Sequence, residues 1–488
     1  MTRGATVRAH DWRWRHAGRP TAAVTGLDLA IEPGERVLLL GPSGSGKSTL
    51  LQGLAGLLGG SEDGDESGRL LVDGAAPHER RHRLGMVLQN PDSQVILSRV
   101  GDDVAFGMEN FRTDPGLIWP RVRRALSAVA LEVPLGQDTS RLSGGQQQRL
   151  ALAGVLAMDP GLILLDEPTA NLDPAGVVDV RDAVAAAVAQ TGATLVVAEH
   201  RTEVWLPVVD RVVVLDAGGH VVADGAPAPV LAGQRDALTR AGVWLPGAPL
   251  PQLTRSRVPG DPLLDAAALV AAHPQGPPAE ALDFQVRRGT VTVVTGPNGT
   301  GKSALALTLG GLLPPRGGTL RARPDFAPSP RRCQPVRWKS RELLTRIGSV
   351  FQNPEHQFLT GSVRDELTLG PRALGHDRAV ISRICDELLD RLGLSALADA
   401  NPYTLSGGEQ RRLSVATVLA TAPALVVLDE PTFGQDRTTW EELVRLLAEI
   451  SDGGTAVVAI THDSDFADLL ADHRIALHPM TTTSRVDR

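Results

Sequence analysis

Two glycine-rich segments, each ending in Gly-Lys-Ser, carry the residue types that bind phosphate. The first reads GPSGSGKS at 41–48 and the second reads GPNGTGKS at 296–303. Glycines let the backbone wrap closely around an anion, so that N–H groups at the start of the following helix point toward it. Lys47 or Lys302 can then reach the β- and γ-phosphates of a nucleotide, and the next serine can place its hydroxyl on Mg²⁺.

Both loops are therefore predicted to bind ATP. The predicted phosphate-binding residues are Gly41, Pro42, Ser43, Gly44, Ser45, Gly46, Lys47, Ser48 and Thr49 in the first loop, and Gly296, Pro297, Asn298, Gly299, Thr300, Gly301, Lys302 and Ser303 in the second.

A pair of acidic residues closes an apolar run in each half of the chain. Asp166 follows LILL and Asp429 follows LVVL, and a glutamate comes directly after each, at Glu167 and Glu430. A carboxylate at the exit of a strand beside a phosphate loop suits a water-bridged contact with Mg²⁺. The glutamate that follows can orient or deprotonate the water that attacks the γ-phosphate.

A histidine follows a later apolar run in each half. His200 and His462 lie 33 and 32 residues beyond their glutamates. One histidine after a strand would be incidental, but matching positions in both halves predict a shared role. We expect each imidazole to contact the γ-phosphate and to hold the water and the glutamate in place.

These matches are part of a repeat that spans the chain of 488 residues. MVLQNPDSQ, LSGGQQQR and LLDEPT, starting at 86, 142 and 164, return as SVFQNPEHQ, LSGGEQRR and VLDEPT at a constant offset of 263 residues, against 255 for the phosphate loops. The Arg-rich stretch 331–341 is the expected insertion, in a surface loop. The repeat predicts a first domain at 1–243, a Pro- and Gly-rich linker at 244–262 and a second domain at 263–488.

Apolar, β-branched runs alternate with helical stretches in both halves, which predicts an α/β fold with a mostly parallel sheet covered on both faces. We expect strands at 35–41, 162–167 and 193–200, and helices from Ser48 to Leu58 and near 175–190. The blocks 89–143 and 352–406 lack strand runs and each predict a helical subdomain. The first half ends in a hairpin around a Gly-Gly turn, and in the second half that hairpin is expected to be lost or shortened.

Composition narrows the function further. The net charge of −7 argues against nucleic-acid binding as the main function, because proteins that bind nucleic acid usually carry an excess of basic residues. The sequence contains no run of about 18 apolar residues, so no helix is predicted to span a bilayer. The N-terminus has no apolar core of the kind that is typical of a secretion signal. Cys333 and Cys385 lack metal-ligand spacing and are expected to be free thiols in a reducing compartment.

The motifs and their order resemble those of ATP-binding-cassette (ABC) ATPases over nearly the whole chain. Besides the phosphate loops, the acidic strands and the histidines, the chain has glutamines in the Q-loop position, Gln89 and Gln352, and two copies of the LSGGQ-type signature. The resemblance implies two tandem P-loop NTPase domains, each with a helical subdomain that carries the signature. It also adds Gln89 and Gln352 to the catalytic set and to the Mg²⁺ ligands, beside Ser48, Asp166, Ser303 and Asp429.

In this family the two cassettes pair head to tail, and each ATP lies between the phosphate loop of one half and the signature of the other. The resemblance therefore implies pairing within the chain. The implied signature contacts to ATP are Ser143, Gly144, Gly145 and Gln146 for the second phosphate loop, and Ser406, Gly407, Gly408 and Glu409 for the first.

The two halves differ at residues that would hold the nucleotide. Trp14 lies where the family stacks an aromatic ring on adenine, with Trp12 as the competing candidate, whereas the second half offers no aromatic in LVAAHPQG at 269–276. Thr49 is matched by Ala304, and the D-loops read ANLD at 170–173 and FGQD at 433–436. We expect two unequal sites, both with a complete catalytic set.

The Q-loops QNPDSQ and QNPEHQ resemble those of energy-coupling-factor (ECF) transporter ATPases, which take up vitamins or transition-metal ions. That resemblance implies a peripheral protein on the cytoplasmic face of the membrane, with a transmembrane scaffold and a small substrate-binding membrane protein as partners. The alternatives are the ATPase of another ABC importer or exporter, and a soluble twin-cassette factor acting on ribosomes or DNA. The short, lightly charged linker and the scarcity of cysteine argue against the soluble factor.

Overall fold

The computed structural model describes residues 4–19, 21–42, 44–60, 63–88, 94–142, 144–169, 172, 174–255, 258–273, 279–432 and 434–478. The chain divides into two compact units, Met1–Pro249 with Asp436–Thr438, and Leu250–Gln435 with Thr439–Arg488. Between Arg240 and Pro262 the described residues form neither helix nor strand. Among the helices that the structure describes, none combines the length and apolar character needed to cross a bilayer.

The first unit contains nine strands and eight helices in its described part. The strands are β1 (Val7–His16), β2 (Val24–Ile31), β3 (Arg36–Leu40), β4 (Gly64–Val72), β5 (Leu84–Val87), β6 (Leu162–Asp166), β7 (Thr194–Ala198), β8 (Arg211–Leu215) and β9 (Val221–Gly225). The helices are α1 (Lys47–Leu54), α2 (Val100–Asn110), α3 (Pro115–Ala128), α4 (Gly144–Ala157), α5 (Pro174–Thr191), α6 (Thr202–Trp205), α7 (Pro227–Gly233) and α8 (Arg235–Arg240).

A six-stranded sheet with the order β5-β6-β7-β3-β8-β9 forms the centre of the first unit. Its strands are parallel except for β9, which pairs antiparallel with β8. Side chains of β3 alternate between the two faces: Leu38 and Leu40 join one core, and Val37 and Leu39 join the other. Apolar residues are needed on both faces, which explains the unbroken apolar runs in the sequence.

A second, three-stranded antiparallel sheet with the order β2-β1-β4 packs over one face, with α1 in the same core. Beyond β5, α2, α3 and α4 pack together in the core on the other face, so the strand-free block forms the predicted helical subdomain. Helix α1 ends at Leu54, earlier than the expected Leu58, because Gly56 adopts a left-handed conformation with φ of 69°.

The second unit repeats this plan. Its strands are β10 (Pro262–Val270), β11 (Ala281–Arg287), β12 (Val291–Thr295), β13 (Gly317–Ala322), β14 (Ile347–Val350), β15 (Leu425–Asp429), β16 (Ala456–Ile460) and β17 (His473–Ala476). Its helices are α9 (Lys302–Leu309), α10 (Ser340–Leu344), α11 (Val363–Leu374), α12 (Arg378–Arg391), α13 (Gly407–Leu419), α14 (Arg437–Asp452) and α15 (Ser464–Leu470).

The central sheet of the second unit has the order β14-β15-β16-β12-β17 and is parallel throughout. Among the residues described after β17, up to 478, no strand corresponds to β9. The antiparallel sheet has the order β11-β10-β13. Cys333 and Cys385 are both free thiols.

The extra residues of the second unit lie between β13 and β14, at 323–346, where the first unit has only 73–83. The prediction of a surface loop there is wrong in part. Trp338 is buried and packs edge-on against Phe326, with 5.6 Å between ring centroids. Its indole N–H donates to the Arg332 carbonyl at 2.7 Å. The apolar residues of this segment extend the core, because removing large apolar side chains such as that of tryptophan from water lowers the free energy of the folded state.

Candidate active site

The two phosphate loops share a backbone feature that only glycine adopts easily. Gly46 and Gly301, directly before α1 and α9, are left-handed with φ of 84° and 92°. A side chain at Gly46 would also collide with the Ala23 carbonyl, 2.5 Å from an added Cβ. The glycine therefore lets the loop turn into the helix and presents the first-turn N–H groups to an anion.

The lysine of each loop folds back over its own loop. Nζ of Lys47 donates to the carbonyls of Gly41 and Pro42, both at 2.9 Å. Nζ of Lys302 donates to the carbonyls of Gly296 and Pro297, at 2.8 and 3.0 Å. Burial lowers the pKa of Lys47, and the carboxylates of Glu167 and Asp166 oppose that shift. Phosphate oxygens would replace neutral carbonyls with charged acceptors, which strengthens the hydrogen bonds of a buried ammonium.

The serine after each lysine meets the aspartate at the end of a central strand. Ser48 Oγ donates to Asp166 Oδ1 at 3.1 Å, and Ser303 bonds Asp429 in the same way. Burial, and next the charge of Glu167, raise the pKa of Asp166 to about 7. A hydroxyl beside a carboxylate is an oxygen donor pair that fits Mg²⁺, which takes its remaining ligands from phosphates and water.

Magnesium would supply charge neutralisation at the phosphates in this arrangement. Within the described ranges, no group of three or more His, Cys, Asp or Glu side chains is placed to hold a metal ion.

The glutamates next to these aspartates sit in strained backbone. Glu167 and Glu430 have φ of 47° and 50°, in the left-handed region that side chains rarely adopt. Their N–H groups donate to Ala198 and Ile460 on the neighbouring strands, at 2.9 and 2.8 Å, which fixes the turn. Burial, and next the charge of Asp429, raise the pKa of Glu430 to about 7. Strain held by cross-strand bonds is typical of a preorganised functional residue.

The structure brings each histidine to the glutamate of its own unit. His200 Nε2 lies 3.0 Å from Glu167 Oε1. His462 Nε2 lies 3.7 Å from Glu430 Oε1 and 3.1 Å from the Asn298 side-chain oxygen of the phosphate loop. The histidine in the second unit thus lies between the phosphate loop and the acidic strand. Its contact with the γ-phosphate stays a prediction.

The Q-loops show a structural role for a second glutamine. Gln352 is exposed just beyond β14, and no described contact joins it to Ser303 or Asp429. Gln357, by contrast, accepts a hydrogen bond from Phe351 N–H and donates one to the Ser349 carbonyl, both at 3.0 Å.

Gln94 makes the matching bonds in the first unit, to Leu88 N–H and the Met86 carbonyl. Gln89 and Ser43 lie outside the described residues, as do Ser143 of the first signature and Asp173 of the first D-loop.

The signature motifs begin helices. Ser406 caps α13: its hydroxyl accepts from Glu409 N–H at 3.4 Å, and the Glu409 carboxylate accepts from Ser406 N–H at 2.7 Å. Gly407 and Gly408 form the first turn behind it, and Gly144, Gly145 and Gln146 occupy the first turn of α4. Ser406 and Gly407 are exposed, so their N–H groups can meet an anion that approaches the helix start.

The adenine-stacking role predicted for Trp14 does not agree with its burial. Only 1% of Trp14 is exposed, because its position on β1 turns the ring into the core between the sheets. Trp12, the alternative, is also fully buried. The Trp14 indole donates to His16 Nδ1 at 3.2 Å, and His16 Nε2 lies 3.1 Å from the Thr49 hydroxyl. The partly exposed His16 is thus the aromatic ring beside the helix that follows the first phosphate loop.

Two further buried residues at these sites escaped the sequence analysis. Glu199 follows β7 directly before His200, and its carboxylate accepts hydrogen bonds from the Thr169 hydroxyl and from His200 N–H. Arg411 lies in α13 and donates to the Phe351 carbonyl at 2.9 Å. A comparison of the repeats could have found both, since the second half has Thr461 for Glu199 and the first half has Gln148 for Arg411.

Comparisons with known proteins agree with this geometry. The family model described as ABC transporter matches residues 24–170 and 279–433. The chain is 35% identical to the putative HMP/thiamine import ATP-binding protein YkoD of Bacillus subtilis over 483 residues, which cover 93% of this chain and 86% of that protein.

It is 32% identical to a putative ABC transporter ATP-binding protein of Methanosarcina acetivorans, over 96% of this chain and 84% of that one. Among solved structures, the archaeal ribosome recycling factor aABCE1, solved in complex with the stalk protein aP1, aligns over 96% of this chain and 87% of that one. Its TM-score is 0.60 at 20% identity, a likeness of fold alone. Two matches to one family model, and relatives more than 30% identical over most of both chains, show that the chain belongs to the ABC transporter family, as an ATP-hydrolysing subunit with two ATP-binding domains.

Proposed function

We propose that this ATPase powers uptake through an ECF-type transporter, with a vitamin or a transition-metal ion as cargo. The chain hydrolyses Mg²⁺-ATP. It binds membrane-protein partners at the cytoplasmic face of the membrane. The observation that carries the proposal is a pair of exposed apolar side chains at equivalent positions, one after each Q-loop.

The two side chains are Ile96 and Leu359, of which 60% and 81% are exposed. Each lies two residues beyond the bracing glutamine, Gln94 or Gln357, and its backbone N–H is held by an acid from the next helix: Asp103 at 2.8 Å and Glu366 at 2.9 Å. A firmly held backbone that shows an apolar side chain to solvent suits a protein partner.

The position of this pair relates the partner to the nucleotide. Each apolar residue belongs to the loop that leaves the strand beside the acidic strand, β5 beside β6 and β14 beside β15. Movement of the loop can therefore transmit a change at the nucleotide to a partner helix. ATP drives such a change only through tighter binding to one conformation.

We further propose that each ATP lies between the phosphate loop of one unit and the signature of the other. In support, α13 presents exposed Ser406 and Gly407 at a helix start, where the first N–H groups have no acceptor within the helix. A head-to-tail arrangement within the chain gives both helix starts an anion to bind.

The cargo class rests on similarity. YkoD, which resembles this chain over most of both lengths, bears the name of an HMP/thiamine import protein. The similarity to aABCE1 reflects fold alone. The described residues between Arg240 and Pro262 form no helix.

Co-purification from detergent-solubilised membranes tests the proposal. The tagged full-length chain should retain a polytopic membrane protein. The double variant Ile96→Asp, Leu359→Asp should lose it, because burying an unpaired charge against an apolar surface of that protein is costly. Val222→Asp with Leu312→Asp, at exposed apolar residues elsewhere, is the matched control.

Uptake of labelled thiamine precursors and of Co²⁺, measured in cells with and without the gene, then distinguishes the two cargo classes. A stable complex with ribosomes and no membrane protein would contradict the proposal.

A further inference from the structure

The two catalytic glutamates have different neighbours on the adjacent strand. Directly after β7 the first unit has Glu199, and directly after β16 the second unit has Thr461. Both side chains are buried and both precede the histidine of their site. The exchange replaces a hydroxyl, which can donate a hydrogen bond, with a carboxylate, which accepts only when ionised.

In the second site the threonine holds one oxygen of the glutamate. The Thr461 hydroxyl donates to Glu430 Oε2 at 3.1 Å. The other oxygen, Oε1, is buried and has no hydrogen-bond partner among the described residues. His462 is directed to the Asn298 side chain of the phosphate loop at 3.1 Å. Glu430 is thus anchored through Oε2, and its Oε1, 3.7 Å from His462 Nε2, accepts no hydrogen bond from the described residues and can accept one from water.

In the first site the position of Thr461 is occupied by Glu199, which carries a carboxyl group in place of the hydroxyl. The Glu199 carboxylate accepts from the Thr169 hydroxyl at 2.7 Å and from His200 N–H at 3.1 Å. Each of the two Glu199 oxygens thus accepts one of these hydrogen bonds. Glu167 instead meets the imidazole of His200 at 3.0 Å, so the histidine is held by the glutamate.

A second exchange changes the charge around each glutamate in the same direction. Arg411 is 3% exposed, and the charges of Glu430 and Asp429 act on it. The first unit has the neutral Gln148 at this position. The second site therefore has one buried cation more and one buried carboxyl fewer than the first.

We propose that Glu199 and Thr461 are positioning residues that make the two ATP sites unequal: Thr461 presets Glu430 to act on water, and Glu199 leaves Glu167 engaged with His200. The second site is then the faster hydrolytic site. This inference concerns ATP hydrolysis alone and holds whatever cargo or partner the transporter has.

Single-turnover hydrolysis by the full-length chain, with one site silenced at a time, tests the first half of the proposal. In a Glu430→Gln background only the first site retains its glutamate. There Glu199→Thr should raise the rate constant about tenfold, the worth of one buried hydrogen bond to a charged group, with little change in ATP affinity. Glu199→Gln, whose amide can also donate, should raise it in the same direction.

The second half is tested in a Glu167→Gln background. Thr461→Val should lower the rate constant about tenfold, and Thr461→Ser, which restores the hydroxyl, should recover most of the loss. Thr421→Val is the matched control, because it removes another buried hydroxyl of the same unit, one that donates to the Val418 carbonyl within its own segment.

Two results would overturn the proposal. One is a Glu199→Thr protein that binds ATP normally but hydrolyses it no faster, and Glu199→Gln decides the matter if Glu199→Thr does not fold. The other is a Thr461→Ser protein as slow as Thr461→Val. Serine keeps the hydroxyl, so this result would show that the hydrogen bond to Glu430 does not set the rate.

Discussion

Buried carboxyl groups dominate the chemistry of both sites at the scale of single residues. Burial is the largest cause of the raised pKa values of Asp166, Asp429 and Glu430. The pKa values of Asp166 and Glu430 are both raised to about 7, so these two groups are partly protonated near neutral pH when no cation or nucleotide is bound. The charge of Lys47 lowers the pKa of Asp166, and that of Lys302 lowers the pKa values of Asp429 and Glu430. A bound Mg²⁺ would favour the ionised forms in the same direction.

Stability should depend on this protonation. The pKa of Glu430 is about 7 in the folded protein and near its ordinary value in the unfolded chain. The folded state thus holds a proton that the unfolded state releases, and stability is lost as pH rises toward 7. Between pH 5 and pH 7, Glu430 alone should reduce the free energy of unfolding of the nucleotide-free protein by about 2 kcal/mol.

Urea unfolding of the second unit at several pH values measures this effect. The Glu430→Gln variant, which carries no titrating proton at this position, should show a smaller loss of stability over the same range. Equal pH dependence in the two proteins would contradict the assigned burial cost.

At the scale of elements, the Q-loops are held by side chains where helix and strand hydrogen bonds stop. Gln94 and Gln357 each join the backbone just before and just after the end of a central strand. These bonds fix the backbone two residues before Ile96 and Leu359, whose side chains face solvent. The second glutamine of QNPxxQ serves the loop, whereas the first is the candidate ligand.

Mutation of the two glutamines of the second Q-loop should affect different properties: stability for Gln357 and ATP hydrolysis for Gln352. Gln357→Ala removes two hydrogen bonds to the backbone and should destabilise the second unit by about 1–3 kcal/mol in urea unfolding. Gln352→Ala removes an exposed side chain and should change stability by less than about 0.5 kcal/mol. Steady-state hydrolysis should instead fall in Gln352→Ala. A larger loss of stability in Gln352→Ala than in Gln357→Ala would contradict the bracing role.

At the scale of the whole molecule, each unit contains a phosphate loop, an acidic strand and a signature helix of its own. The proposed pairing crosses these parts, so that the signature at Ser406 serves the loop at Lys47. A substitution in the signature should then act on the site of the opposite unit.

Background variants make this crossing measurable. With Lys302→Ala, which disables the second phosphate loop, Ser406→Arg should reduce hydrolysis at the first site about a hundredfold, because the anion donors are blocked. With Lys47→Ala, the same substitution should cost at least about tenfold less. The reverse order of effects would assign each signature to its own unit, and loss that depends on protein concentration would indicate pairing between chains.

The sequence alone determined the parts that act through local backbone geometry. A phosphate loop needs left-handed glycines such as Gly46 and Gly301 and a helix directly after them. A few neighbouring residues specify both the glycine conformation and the start of the helix. The exact repetition of motifs likewise predicted two similar α/β domains with helical subdomains, since unbroken apolar runs fit strands that are buried on both faces.

Tertiary structure decided which distant residues meet and which faces are buried. Trp14 was predicted to be available to adenine, yet the sheet packed over β1 buries its ring. Glu199 lies far from Glu167 along the chain, and the parallel pairing of β6 with β7 places them together. Parallel neighbours are joined through long crossovers, so sequence distance says little about contact. The environment of each catalytic glutamate therefore depends on strand order and layer packing, which short motifs do not encode.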